Sequence, residues 1–180
     1  MEKEEIKRII EAVLFASDRP LSSEELSKAL NIENKFTKEL IKELKEEYRK
    51  ENRSFQIIEI AQGFQVCTLP IYASWIKKVL RREKEEKLSL PALETLSIIA
   101  YRQPVTRAEI EAIRGVDVGG ILKYLLERGL IKTAGRKDSL GKPILYRTTS
   151  YFLQYFGLSS LTDLPQPSGK IRKKEKDEAN

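Results

Sequence analysis

Histidine is absent from the 180 residues of this chain, and cysteine occurs once, at Cys67. Without histidine there is no Ser/His/Asp triad, no Cys/His pair and no His-bearing zinc set, and one cysteine closes no intramolecular disulfide. Enzymatic chemistry therefore has few residues to be built from, and no catalytic residue, metal site or cofactor is expected. No apolar run approaches the roughly 20 residues that span a bilayer. The opening Met1-Glu2-Lys3-Glu4-Glu5 also lacks the apolar core of a signal peptide, so the expected location is cytoplasmic with no membrane contact. Neither sign of charge dominates: 33 Lys and Arg face 27 Asp and Glu, a net +6 that is far from a dedicated nucleic-acid arm. What is present is an ordinary globular balance, 41% hydrophobic and 33% charged, enough for one or two packed domains.

Hydrophobic periodicity divides the first half into elements. Ile6, Ile9, Ile10, Val13 and Leu14 recur on one face of a helix, with Lys7, Arg8 and Glu11 on the other. After Pro20, Ser22 caps a short second helix, Glu25 returns a bond to the cap amide and Leu21 staples onto Leu26. Phe36, Leu40, Ile41, Leu44 and Tyr48 mark a third helix. The β-branched and aromatic runs 55–60 and 64–68, around Ala61-Gln62-Gly63, read as a hairpin. A fourth helix from Pro70 is expected to carry Ile71, Trp75, Ile76, Val79 and Leu80 inward, before the charged run 81–87.

The plan then repeats. Pro104-Val105-Thr106-Arg107-Ala108-Glu109-Ile110 lies 84 residues after Pro20-Leu21-Ser22-Ser23-Glu24-Glu25-Leu26, with proline, staple pair, hydroxyl cap and box glutamate in register. A helix from about Pro91 precedes it, a third helix with Ile121, Leu122, Leu125 and Leu126 follows, and strands at 130–133 and 144–147 flank a polar loop. Helix, helix, helix, hairpin occurring twice is the plan of tandem winged-helix domains in a mainly α fold with small β-hairpins (α+β). The expected boundaries are 1–87, ending in a charged linker, 88–164, and a disordered charged tail at 165–180. Order is expected to fade past Leu158.

Candidate chemistry is sparse. In the loop from Gly135 to Pro143, five residues separate Gly135 from Gly141, Pro143 stands where a magnesium-binding hydroxyl is needed and a strand follows, so no phosphate loop is formed. Arg136, Lys137 and Lys142 make this loop a basic wing, open to weak, sequence-independent contact with DNA phosphates. The third helix of the second half begins Asp117-Val118-Gly119-Gly120-Ile121 and has no side chain for reading base edges. In the first half Lys35, Lys38, Lys42 and Lys45 are accompanied by Glu39, Glu43, Glu46 and Glu47, which are expected to cancel the field; residues 1–87 hold 18 cations and 17 acids. Neutral third helices suit packing against another protein. A dimeric winged-helix DNA-binding transcriptional regulator is the alternative of a different class.

The run Ser97-Ile98-Ile99-Ala100-Tyr101-Arg102-Gln103-Pro104-Val105-Thr106-Arg107-Ala108-Glu109-Ile110 closely resembles the segregation and condensation protein B family of bacteria. So do Arg114-Gly115-Val116-Asp117, Leu126-Glu127-Arg128-Gly129-Leu130-Ile131, Gly135-Arg136-Lys137, Tyr155-Phe156-Gly157-Leu158 and Asp163-Leu164-Pro165. Glu11-Ala12-Val13-Leu14-Phe15-Ala16-Ser17 with Pro20-Leu21 is similar to the family's opening helix and turn; the likeness covers roughly residues 5 to 165, and Val118 stands where a small polar residue is expected. The resemblance implies a non-enzymatic accessory subunit. It implies homodimerisation through the N-terminal domain and binding to the kleisin ScpA, which links it to the SMC ATPase in chromosome condensation and segregation at the nucleoid. On that reading Tyr101, Arg102, Gln103 and Pro104 are the candidate kleisin contacts. Tyr48 and Trp75, large amphipathic residues of the kind enriched at interfaces, are the candidate dimer contacts.

Overall fold

The structure is a computed structural model that describes residues 2–80 and 87–166. The linker expected at 81–87 and the tail expected at 165–180 fall outside those residues, except for Lys87, Pro165 and Gln166. The first half runs α1 (Lys3–Ala16), α2 (Ser23–Leu30), α3 (Asn34–Lys50), β1 (Phe55–Ile60), β2 (Gly63–Thr68), a 3-10 turn at Pro70–Tyr72 and α4 (Ala73–Leu80). Its core gathers Ile10 and Leu14 of α1, Leu26 of α2, Leu40, Ile41 and Leu44 of α3 and Ile57 of β1. Lys7 was expected on the solvent face of α1 but is buried. Its ammonium reaches Glu47 of α3 at 2.7 Å and Glu4 at 3.0 Å, and the Glu47 bond, then the Glu4 bond, raise its pKa.

The hairpin is antiparallel from Phe55–Thr68 to Ile60–Gly63, and its turn is made by Ala61 and Gln62, both with left-handed backbone (φ 49° and 62°). Two-residue loops of this hand favour asparagine and glycine, so Ala61 and Gln62 sit in an unfavourable conformation that needs outside support. The support comes from the second half: the Ala61 amide donates to the Leu158 carbonyl at 2.9 Å and the Gln62 amide to that of Ser159 at 2.8 Å, while the Ser159 hydroxyl donates to the Glu59 carbonyl at 2.9 Å. Gly63 serves a different purpose. It lies beneath Leu21, which exchanges two backbone hydrogen bonds with Phe64 (3.0 and 2.8 Å), and a β-carbon at Gly63 would stand 2.8 Å from the Leu21 carbonyl carbon.

The second half runs α5 (Leu90–Arg102), β3 (Val105–Thr106), α6 (Arg107–Arg114), α7 (Gly119–Glu127), β4 (Ile131–Arg136), β5 (Ile144–Thr148) and α8 (Ser150–Phe156), with a 3-10 turn at Leu161–Asp163. The sheet order is β3-β5-β4, all antiparallel. The Leu21–Phe64 bridge of the first half is the counterpart of β3 here. A separate core holds Leu96, Ile99, Ile110, Val118, Leu125 and Leu130. Val118 is fully buried, and its amide is met by the Glu111 carboxylate at 3.1 Å while Asp117 accepts the Gly119 amide at 3.0 Å. The start of α7 is thus served by the carboxylates of Asp117 beside it and Glu111 of α6, which frees position 118 for the core. Order continues past Leu158, where it was expected to fade: Leu164 packs on the core and the Pro165 carbonyl accepts the Tyr101 hydroxyl.

Both capping boxes form, Ser22 with Glu25 and Thr106 with Glu109. The Ser22 amide, then Arg19, then the Ser22 hydroxyl take the Glu25 carboxyl from 4.5 down to about 2. At Glu109 the Lys137 ion pair leads, followed by the Thr106 amide and hydroxyl, with the same result of about 2. A carboxylate held below its unfolded value stabilises the fold above that value and loses the effect as pH falls through the folded one. Partial exposure of both groups screens the effect and keeps it small. The double variant Glu25→Gln/Glu109→Gln is therefore expected to be less stable than the parent at neutral pH, with the gap closing as pH falls from about 4.5 to about 2. Thermal unfolding followed by circular dichroism across that window measures it, and a gap independent of pH refutes it.

Candidate partner-binding surfaces

The turn between α5 and β3 carries the first set of candidates. Gln103–Pro104 is a cis peptide, and Tyr101, Arg102 and Pro104 are exposed. Gln103 is spent within the fold: its side-chain Oε1 accepts the Thr148 amide at 2.8 Å and hydroxyl at 3.0 Å, and its side-chain Nε2 donates to the Ala100 carbonyl at 3.2 Å. It ties the end of α5 to β5 and so positions its neighbours instead of facing a partner. The Tyr101 hydroxyl is engaged by Pro165, which leaves its ring face on the surface.

The dimer candidates separate. Tyr48 belongs to the core, 6% exposed, with its hydroxyl donating to Glu11 at 2.8 Å and its ring edge-on to Phe55 at 5.0 Å; burial, then the Glu11 bond, raise its pKa. Trp75 is 65% exposed, and no residue of α4 is buried. The expectation that the α4 stripe points inward is corrected here. α1, α3 and the hairpin already close the first core, so Ile71 (72% exposed), Trp75 and Val79 (78% exposed), spaced at i, i+4 and i+8, form an apolar face left uncovered among the described residues. Contiguous exposed apolar surface of this kind marks an interaction site. Periodicity shows that a helix has an apolar face but not what covers it, which is why the sequence pattern read as core.

The wing candidates are mostly engaged. Lys137 pairs with Glu109 at 2.6 Å, and the Arg136 guanidinium donates to the Lys142 carbonyl at 2.9 Å. Burial raises the Cys67 pKa, which opposes thiolate chemistry. Among the described residues no group of three or more Cys, Asp or Glu is placed to hold a metal ion, and no helix is long and apolar enough to cross a membrane. One surface that the sequence left unassigned is α8, where Tyr151 and Phe156 remain exposed and Tyr155 packs edge-on against Phe156 at 5.1 Å. Its signal was the aromatic spacing within 151–156.

Residues 8–167 match the family model described as segregation and condensation complex subunit ScpB. Segregation and condensation protein B of Syntrophotalea carbinolica is 46% identical over 165 residues, covering 92% of this chain and 83% of the relative. The protein of that name from Clostridioides difficile is 46% identical over 167 residues, covering 92% and 93%. Among solved structures, a dimer of an ScpB N-terminal domain complexed with an ScpA peptide is 32% identical, covers 42% of this chain and 95% of that one, and superposes with a TM-score of 0.40.

Proposed function

The chain belongs to the segregation and condensation complex subunit ScpB family, and from that premise we propose that it is a non-catalytic accessory subunit of the bacterial SMC–kleisin complex. It binds the kleisin ScpA and through it serves the SMC ATPase in chromosome condensation and segregation at the nucleoid. The observation that carries this reading is the family match over residues 8–167, joined to an apolar α4 face left exposed among the described residues. Residues 1–87 form the dimerising unit and 88–164 the second winged-helix unit. Within the second, Tyr101, Arg102 and Pro104 offer contact surface that Gln103 holds in place.

Titration calorimetry of the full chain against the kleisin from the same genome tests the reading. Binding is expected, and because the contacts invoked are largely apolar it should persist well above about 150 mM salt, where exposed charges are screened within roughly 8 Å. The pair Tyr101→Ala/Arg102→Ala should weaken it about tenfold, the cost of one well-placed interface residue. A kleisin that does not bind at all sinks the reading.

A further inference from the structure

The charges of α3 are sorted by face. At about 100° per residue, Lys38, Lys42, Lys45 and Arg49, at i, i+4, i+7 and i+11, fall within about 60° of one another. Glu43 and Glu47 lie beyond the buried stripe of Leu40 and Leu44, where Lys3 and Lys7 of α1 hold them at 2.6 and 2.7 Å. Two of the four acids are thus drawn off by α1, Glu39 and Glu46 remain exposed on the outer side of the helix, and the four cations form a stripe of their own between that side and the core. All four cations are exposed, and none takes part in an ion pair among the described residues.

These cations line one wall of a groove of about 760 Å³ between α3 and the β1–β2 hairpin. Its floor is apolar, formed by Ile41 and Ile57 with the half-buried Phe55, Phe64 and Leu69. Arg53, already paired with Glu51 at 2.7 Å, also lines it, and Glu46 and Glu59 are its carboxylates among the described residues. We propose that this groove binds an acidic amphipathic helix of a partner protein, with the apolar face on the floor and the carboxylates along the Lys38–Arg49 stripe. The stripe extends about 16 Å at 1.5 Å per residue, matching about three turns of such a helix. Charge complementarity along the wall supplies register and selectivity, while burial of the floor supplies affinity. Duplex DNA fits less well. Phosphates would engage the cations but leave the apolar floor uncovered, and Glu39 and Glu46 project from the side of α3 opposite its core, where a major groove would have to fit. The inference goes beyond the SMC–kleisin reading and does not depend on it.

Fluorescence anisotropy on the full chain tests it with defined probes: a labelled three-turn peptide with a leucine face flanked by glutamates, its glutamine and alanine-face counterparts, and a random-sequence duplex. The glutamate–leucine peptide should bind best. Lys38→Glu/Lys42→Glu/Lys45→Glu should weaken it about tenfold or more, since like charges are then opposed across the contact. Lys→Gln at the same positions should fall between, and Lys28→Glu/Lys87→Glu/Lys123→Glu, of equal net charge but at positions outside the groove lining, should bind like the parent. Equal loss in both charge-reversed proteins would reduce the effect to bulk electrostatics and overturn the proposal. Duplex bound more tightly than peptide, with the same dependence on Lys38, Lys42 and Lys45, would overturn it in favour of DNA. The probes contain no kleisin, so failure here leaves the calorimetric test of the proposed function standing, and the reverse.

Discussion

The double variant Trp75→Asp/Val79→Asp is expected to be monomeric, with the dissociation constant of the proposed homodimer raised about a hundredfold or more. Among the described residues the face built by Ile71, Trp75 and Val79 meets only the Lys78 ammonium over the Trp75 ring, so in a homodimer it is the natural centre of the contact. Two carboxylates at that centre lose the apolar burial and must also be desolvated without counterions, a cost of about 3 kcal/mol or more at interface positions of this kind. Folding should be spared, because α4 contributes no buried residue. Light scattering at tens of micromolar, with circular dichroism as the check on folding, reads the outcome. Tyr48→Phe provides the contrast: it removes the hydroxyl bonded to Glu11 inside the core and should leave the dimer intact. A dimeric mass for the double variant would place the interface elsewhere.

Gly63→Ala should destabilise the first half by about 2 kcal/mol or more, in the upper range for an added methyl with no room to sit. The added carbon would approach the Leu21 carbonyl carbon to 2.8 Å and its oxygen to 2.9 Å, and these are main-chain atoms that no side-chain rotation relieves. Relief requires opening the Leu21–Phe64 bridge, which leaves two amides and two carbonyls without their partners. Gly120→Ala is the matched control. It lies in the first turn of α7, nothing stands within 4 Å of its added carbon, and alanine favours the helix, so stability should hold or rise by about 0.5–1 kcal/mol. Urea unfolding of both variants separates the two expectations, and a Gly63→Ala protein as stable as the parent would contradict the steric account.

Those two glycines illustrate how far the sequence could be read. Local signals were legible where the chemistry is local: Ser22 with Glu25, and Thr106 with Glu109, each lie three residues apart, and both boxes form. The 84-residue repeat reached further, because it compares the chain with itself and so exposed the doubled helix, helix, helix, hairpin plan. The readings that failed all concern what an element meets in space. The α4 stripe has the period of a core helix, and only the closed first core shows that it faces outward. Lys7 looked like a surface lysine until α3 brought Glu47 beside it. Charge counting on α3 missed that Glu43 and Glu47 are taken up by Lys3 and Lys7 of α1 while the cations share one stripe, since a sum over residues carries no angle. Gly63 read as a turn residue because glycine usually is one, whereas the turn is made by Ala61 and Gln62. Past Leu158 the polar, proline-containing composition suggested fading order, yet Leu158 and Ser159 supply the carbonyls on which that turn rests.

That last contact has a consequence for how the protein can change over generations. The seam between the halves is stitched at Ala61–Leu158 and Gln62–Ser159 by peptide groups, which every residue except proline supplies equally. Apart from the Ser159 hydroxyl, which donates to the Glu59 carbonyl, substitution can alter the side chains on either side of the stitch without removing a donor or an acceptor from it. Side chains on the surfaces that meet partners can therefore vary without touching these two bonds, whereas proline at 61 or 62 would delete a donor and a β-branched residue there would strain the left-handed turn.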